Sequence, residues 1–133
     1  LRTYSVIGVR APLYCTAVGK AIMANLDYNH VKHIVEQKGL PRITENTITT
    51  EDGLLTELAT IRTKGYAVDN MEHEDQLMCV GAPIRNAKGQ VFASISVSGP
   101  VSRQDISKID ELGKGVMEAT REISWKIGYR SGP

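Results

Sequence analysis

The stretch LYCTAVGKAIMANL, Leu13 to Leu26, sets a Gly-Lys pair after small residues at the head of an apolar run, where a phosphate-cradling loop would stand. That loop needs a glycine five positions before the pair, and a serine or threonine after it to hold magnesium. Tyr14 occupies the first of those positions and Ala21 the second, so nucleotide chemistry is excluded. What survives is a helix start. Its first backbone N–H groups have no acceptor within the helix, and with the positive end of the helix dipole they can hold a small anion. An ordinary capped helix packed in a core would carry the same residues.

Two other stretches hold chemically capable side chains. DNMEHED, Asp69 to Asp75, gathers four acids and a histidine. It lacks the HExxH or paired-histidine spacing that a transition metal prefers, and reads as a solvated turn. Asp69 stands apart, because it ends an apolar strand and a polar strand end can face a pocket. Cys15 and Cys79 form neither a disulfide framework nor a CxxC pair. As nucleophiles they would need a histidine base with an orienting partner. His30 and His33 fall on a helix that looks exposed, and His73 sits in the acidic turn. We expect no catalytic residue, no metal site and no cofactor.

The elements that must position these residues follow from periodicity. Residues 1–8 alternate as a strand, and Thr16 can cap a helix running to about Asn25. A second helix spans about Tyr28 to Lys38 and stops at Gly39. TTEDGLLTELATIRTKG is the clearest helix, with Thr49 and Asp52 as a capping box, a stripe of Leu54, Leu55, Leu58 and Ile61, and Gly65 past its end. The period then changes. YAVDNM reads as a strand, and QLMCVGAPIR with QVFASISVSG as a hairpin around NAKG. Pro100 and Ser102 begin a last helix with Ile106, Ile109, Leu112, Val116 and Ile123 at helical spacing, ended by Gly128. This order predicts an α+β domain with helices on an antiparallel sheet.

A four-residue loop, Asn86 to Gly89, places Arg85 opposite Gln90, Gly81 opposite Ser94, Cys79 opposite Ser96 and Leu77 opposite Ser98. Cross-strand partners share a face. One face then carries Met78, Val80, Ala82, Ile84, Val91, Ala93, Ile95 and Val97, a core face for helices to cover. The other carries Leu77, Cys79, Gly81, Phe92, Ser94, Ser96 and Ser98. A solvated face usually shows charged residues, and this one has none, so it reads as the floor of a small pocket.

Composition bounds the partners. The chain of 133 residues fits one domain, with 41% hydrophobic and 23% charged residues. Sixteen Lys and Arg stand against fifteen Asp and Glu, a formal charge of +1 without a basic cluster. That excludes a dedicated nucleic-acid or membrane surface. No apolar segment is long enough to span a bilayer. With no signal peptide in view, the cytoplasm is the expected compartment. The chain opens directly in strand-like sequence without methionine, which predicts a piece of something longer.

Three segments together, PLYCTAVGKAIMA, TITTEDGLLTELATIRTKGYAVDNMEHEDQLMCVGAPI and GQVFASISVSGP, resemble the effector-binding domain of IclR-type bacterial transcription regulators, in order and spacing over nearly the whole chain. The opening LRTYSVIGVRAPLY looks most like the sugar-acid-responsive branch. The resemblance implies a GAF-like or profilin-like fold, an antiparallel sheet with helices and a ligand cavity. Residues 1–133 would be the C-terminal effector-binding domain, incomplete at its N-terminal side, with the winged helix-turn-helix absent. It implies a small carboxylate held by the backbone amides of Ala17 and Val18, with Asp69, Cys79, Ser96 and Ser98 as the remaining contacts. It also implies self-association as a dimer or tetramer, and operator DNA as a partner only through the missing domain. Val18 departs from the commoner alanine-sized residue, and Asn70 stands where an acid is frequent. Two other readings remain: a GAF-like enzyme on a small carbonyl compound with Cys79 as nucleophile, and a pure oligomerisation module.

Overall fold

The computed structural model describes residues 7–100 and 107–131. The strand expected over residues 1–8 lies almost wholly outside them, as does the expected helix start at Ser102 and Ile106. Helix α1 spans Ala17–Met23, α2 Tyr28–Lys38 and α3 Glu51–Lys64. Strands β1 (Ala67–Asn70), β2 (Leu77–Arg85) and β3 (Val91–Pro100) follow, and then helix α4 (Ile109–Lys126). The described strands form an antiparallel sheet in the order β1-β2-β3.

Local chemistry sets the helix ends. Thr16 Oγ1 accepts from Gly19 N and Asp27 Oδ1 from His30 N, each satisfying a donor that the helix start leaves free. The cap of α3 is Thr50, which accepts from Gly53 N, one residue beyond the expected Thr49. Gly65 closes α3 in the left-handed region at φ 90°, which a side chain rarely adopts.

The sheet is covered on both faces. On one side α4 packs against Val80, Ala82 and Ile95, with Tyr66 and Val116 buried in the same cluster. On the other side α1 lies against the small residues: Ser94 Oγ donates to Val18 O at 2.8 Å, and a Cβ on Gly81 would stand 3.2 Å from Ala17. Gly81 is therefore what lets the helix settle on the strand. Behind α1, a second core joins Cys15, Ala21, Met23, Val31, Leu54, Leu58 and Ile61.

Two expectations change. The hairpin register is Cys79↔Ser98 and Gly81↔Ser96, displaced by two from the expected pairing. Arg85 opposes Val91 while Ile84 opposes Ala93, which leaves Phe92 as the extra residue of a bulge. The loop is one residue longer than expected because Asn86 Oδ1 accepts from both Lys88 N and Gln90 N, folding the turn around its own side chain. Each one-residue change alone would exchange the faces; together they restore them. In α4 the buried residues are Gly113, Val116, Thr120 and Ser124, while Leu112 and Ile123 are 39% and 36% exposed. Close approach decides that rotation. The Tyr66 ring lies 2.6 Å from where a Gly113 Cβ would stand, and Ser124 Oγ accepts from Arg85 N.

Candidate functional site

Antiparallel pairing puts Asp69, Cys79 and Ser98 in one row across all three strands. The next row on the same face is Ala67, Gly81 and Ser96. Helix α1 rests on that second row through Ala17, so its first turn stands beside the polar row. Within this turn Gly19 N is taken by Thr16 Oγ1 and Lys20 N by Thr16 O. The amides of Ala17 and Val18 come before the first intrahelical bond, as at any helix start. Four of the six residues singled out in the sequence thus share one sheet face, and the other two, Ala17 and Val18, begin the helix that lies on it.

This face grades from buried to open. Asp69 is 2% exposed, Cys79 half-buried, and Ser96 and Ser98 on the outer strand are exposed. Cys79 Sγ and Ser98 Oγ are hydrogen-bonded at 3.0 Å. Burial pushes the Cys79 thiol up, as do the negative charges of Asp69 and Glu74, against the lowering effect of the Ser98 bond. At neutral pH it is therefore a thiol.

Asp69 carries the site's electrostatics. Burial pushes its carboxyl up to about 6, opposed by the hydrogen bond from Glu72 N, with Glu72 raising it further and Lys20 and His73 lowering it. The native state therefore holds the Asp69 proton more tightly than the unfolded chain. The resulting stability is fully present below pH 3.8 and is lost as pH rises toward about 6. Asp69→Asn keeps an oxygen acceptor for Glu72 N at 2.8 Å. We expect the variant to gain stability over wild type across that window, with the difference constant above it. Urea titrations at pH 4, 5, 6 and 7 measure this, and parallel stability curves for the two proteins would refute it.

The acidic segment is only partly solvated, contrary to the expected solvated turn. Glu72 is 5% exposed and meets Lys20, which is fully buried. Lys20 Nζ donates to both Glu72 carboxylate oxygens at 2.9 Å, to Glu57 Oε2 at 2.8 Å and to Val68 O at 2.6 Å. Residues 44–47 clamp the same turn: Asn46 Nδ2 donates to Asn70 O, Thr44 Oγ1 to Met71 O and Thr47 Oγ1 to Glu72 O. Sequence reasoning missed Lys20, Glu57, Glu72, Thr44 and Thr47. A signal for Lys20 did exist, since it shares the helical arc of Ala17, Ala21 and Ala24, all of which are buried.

A cavity of about 700 Å³ lies away from the polar row, between residues 10–14 and α2 with the segment after it. Its lining is mainly apolar, including Pro12, Leu13, Met23, Ile34 and Val35. Among the described residues no group of three or more His, Cys, Asp and Glu could hold a metal ion, and no helix is long and apolar enough to cross a membrane.

Comparison with known proteins agrees with this architecture. Residues 1–125 match the family model described as bacterial transcriptional regulator IclR C-terminal. The HTH-type transcriptional regulator KdgR of Escherichia coli K12 is 41% identical over 133 residues, covering 100% of this chain and 51% of that protein. The C-terminal domain of E. coli KdgR superposes with a TM-score of 0.82 at 39% identity, over 92% of this chain and 75% of that one. The inducer-binding domain of an Acinetobacter PobR double mutant, solved with 3-hydroxybenzoic acid, gives a TM-score of 0.83 at 27% identity, over 92% and 73%. The chain spans about half the length of the curated relatives it matches. By sequence and by fold, it belongs to the IclR family of bacterial transcriptional regulators, matching their C-terminal effector-binding domain.

Proposed function

We propose that this chain is the ligand-sensing part of a cytoplasmic IclR-type regulator, and that it binds a small monocarboxylate bearing keto or hydroxyl groups. Binding shifts a dimeric or tetrameric arrangement and so changes the operator affinity of a DNA-binding domain outside these residues. The observation that carries the reading is the row Asp69–Cys79–Ser98 beside the first turn of α1. The Ala17 and Val18 amides supply donors for a carboxylate, Ser96 and Ser98 partners for keto or hydroxyl oxygens, and Asp69 an acceptor for a hydroxyl. The PobR relative, solved with 3-hydroxybenzoic acid, supports a single carboxylate beside a hydroxyl, although its aromatic ring lies outside the keto and sugar acids expected here.

The charge balance narrows the class. Lys20, the cation nearest the cradle in sequence, has its ammonium group committed to Glu57, Glu72 and Val68 O. An anion must rely on N–H groups and the helix dipole, together worth about 0.3–2 kcal/mol in charge terms. That suits one carboxylate and poorly suits a doubly charged phosphate ester, which Asp69 would also repel. Calorimetry with pyruvate, 2-keto-3-deoxygluconate and gluconate against glucose 6-phosphate should show binding only among the first three. Replacing Ser96 and Ser98 together by alanine should weaken it by about 1–3 kcal/mol, since each neutral hydrogen bond contributes about 0.5–1.5 kcal/mol. Tighter binding of the phosphate ester, or an affinity untouched by the double substitution, would place the ligand elsewhere.

A further inference from the structure

We propose that Lys20 is a positioning residue for the ligand: through Glu72 it holds the Asp69 carboxyl at a fixed place relative to the first turn of α1. This rests on the ligand-binding reading given above. The two halves of that site belong to different elements, the amides to α1 and the carboxyl to the end of β1, and one buried side chain, Lys20, reaches from the first to the second. Lys20 sits one turn after the Thr16 cap, and its own N–H closes that turn on Thr16 O at 2.9 Å. Its ammonium reaches both Glu72 oxygens. Glu72 then acts at both ends of the 69–72 turn, donating its N–H to Asp69 Oδ1 at 2.8 Å and accepting from Asn70 N at 3.1 Å.

The turn does not need the ion pair in order to close. Thr44, Asn46 and Thr47 already take three successive carbonyls, those of Asn70, Met71 and Glu72. Nor is a buried ion pair a favoured way to add stability, because desolvation offsets most of the attraction and apolar residues of similar volume do as well. What the pair adds is distance. A lysine that donates at once to Glu72 and to the Val68 carbonyl permits one separation of α1 from β1, whereas an apolar filler permits several. A ligand that must touch both α1 amides and Asp69 is sensitive to that separation, since small misplacements between paired groups cost much of their interaction.

The test uses the intact protein with 2-keto-3-deoxygluconate and pyruvate as probes. In wild type, saturating probe should slow amide exchange at Ala17 and Val18, and at Asn70 and Glu72 at least tenfold in the same titration. The double variant Lys20→Met with Glu72→Gln leaves no uncompensated charge in the buried pair. It should melt close to wild type yet bind at least tenfold more weakly, with the Asn70 and Glu72 response gone. Glu57→Gln removes only the partner on α3 and should bind within threefold of wild type. If the double variant binds as wild type does, Lys20 only fills space and the inference fails while the ligand reading stands. If the double variant does not fold, wild type decides: protection at Ala17 and Val18 without Asn70 and Glu72 overturns the inference. If wild type binds neither probe and shows no protection at Ala17 or Val18, the ligand reading itself falls.

Discussion

Lys20→Met should lower the unfolding free energy by about 3–5 kcal/mol, the usual cost of removing one partner from a buried ion pair. Methionine fills nearly the same volume, so the loss is electrostatic rather than a cavity. Glu72, 5% exposed, would keep a charge with only Asn70 N to meet it, and Val68 O would lose its donor. Glu57 matters less, because its side chain is 30% exposed and water can replace the ammonium. Adding Glu72→Gln should recover most of the loss, since the amide oxygen can still accept from Asn70 N and no unpaired charge remains. Urea unfolding followed by circular dichroism measures all three proteins. A single variant within about 1 kcal/mol of wild type, or a double variant no better than the single, would show that the pair bears little of the domain's stability.

Why Lys20 escaped sequence reasoning while the serine face did not is a matter of how each signal is encoded. The face rests on period-two alternation, which tolerates a wrong loop as long as errors come in pairs. Here the extra loop residue and the Phe92 bulge form such a pair, and Cys79 and Ser98 still share a face although their register moved by two. Lys20 and Glu72 lie 52 residues apart, and neither has a local neighbour that marks it. The acidic run DNMEHED holds four carboxylates, and only the tertiary fold distinguishes the buried Glu72 from the exposed Asp75. Helical period did place Lys20 on an apolar arc. Lysines ordinarily stay outside, and this one is buried only because its partners arrive from elsewhere in the chain. In α4 the helical spacing of the large apolar residues finds Val116 and Ile109 in the core, while Gly113 and Ser124 hold the close contacts that set the rotation.

The glycine of the Gly-Lys pair is equally structural, and Gly19→Ala should destabilise the domain by about 3 kcal/mol. Two effects oppose one another. Alanine is the better helix former by about 1 kcal/mol, which on an open helix would stabilise. Against that, an added Cβ would stand 2.4 Å from both Leu13 Cα and Leu13 O, and 2.6 Å from Thr16 Oγ1. Two of those neighbours are backbone and cannot rotate away. The third is the helix cap, which also donates to Pro12 O at 2.6 Å. Relief would require the 12–16 segment to lift from α1, and that would break both cap bonds in a region where Cys15, Thr16 and Ala17 are buried. Gly115→Ala is the matched control. It lies within α4 with nothing inside 4 Å of its Cβ position, so only the propensity gain of about 0.5–1 kcal/mol should remain. Thermal unfolding should therefore move in opposite directions for the two variants, down for Gly19→Ala and slightly up for Gly115→Ala. The first should also weaken any carboxylate binding, because the displaced cap carries the Ala17 and Val18 amides with it. An upward shift for both would mean that Leu13 yields easily and that the small residue in TAVGKA is not there to admit the backbone before it.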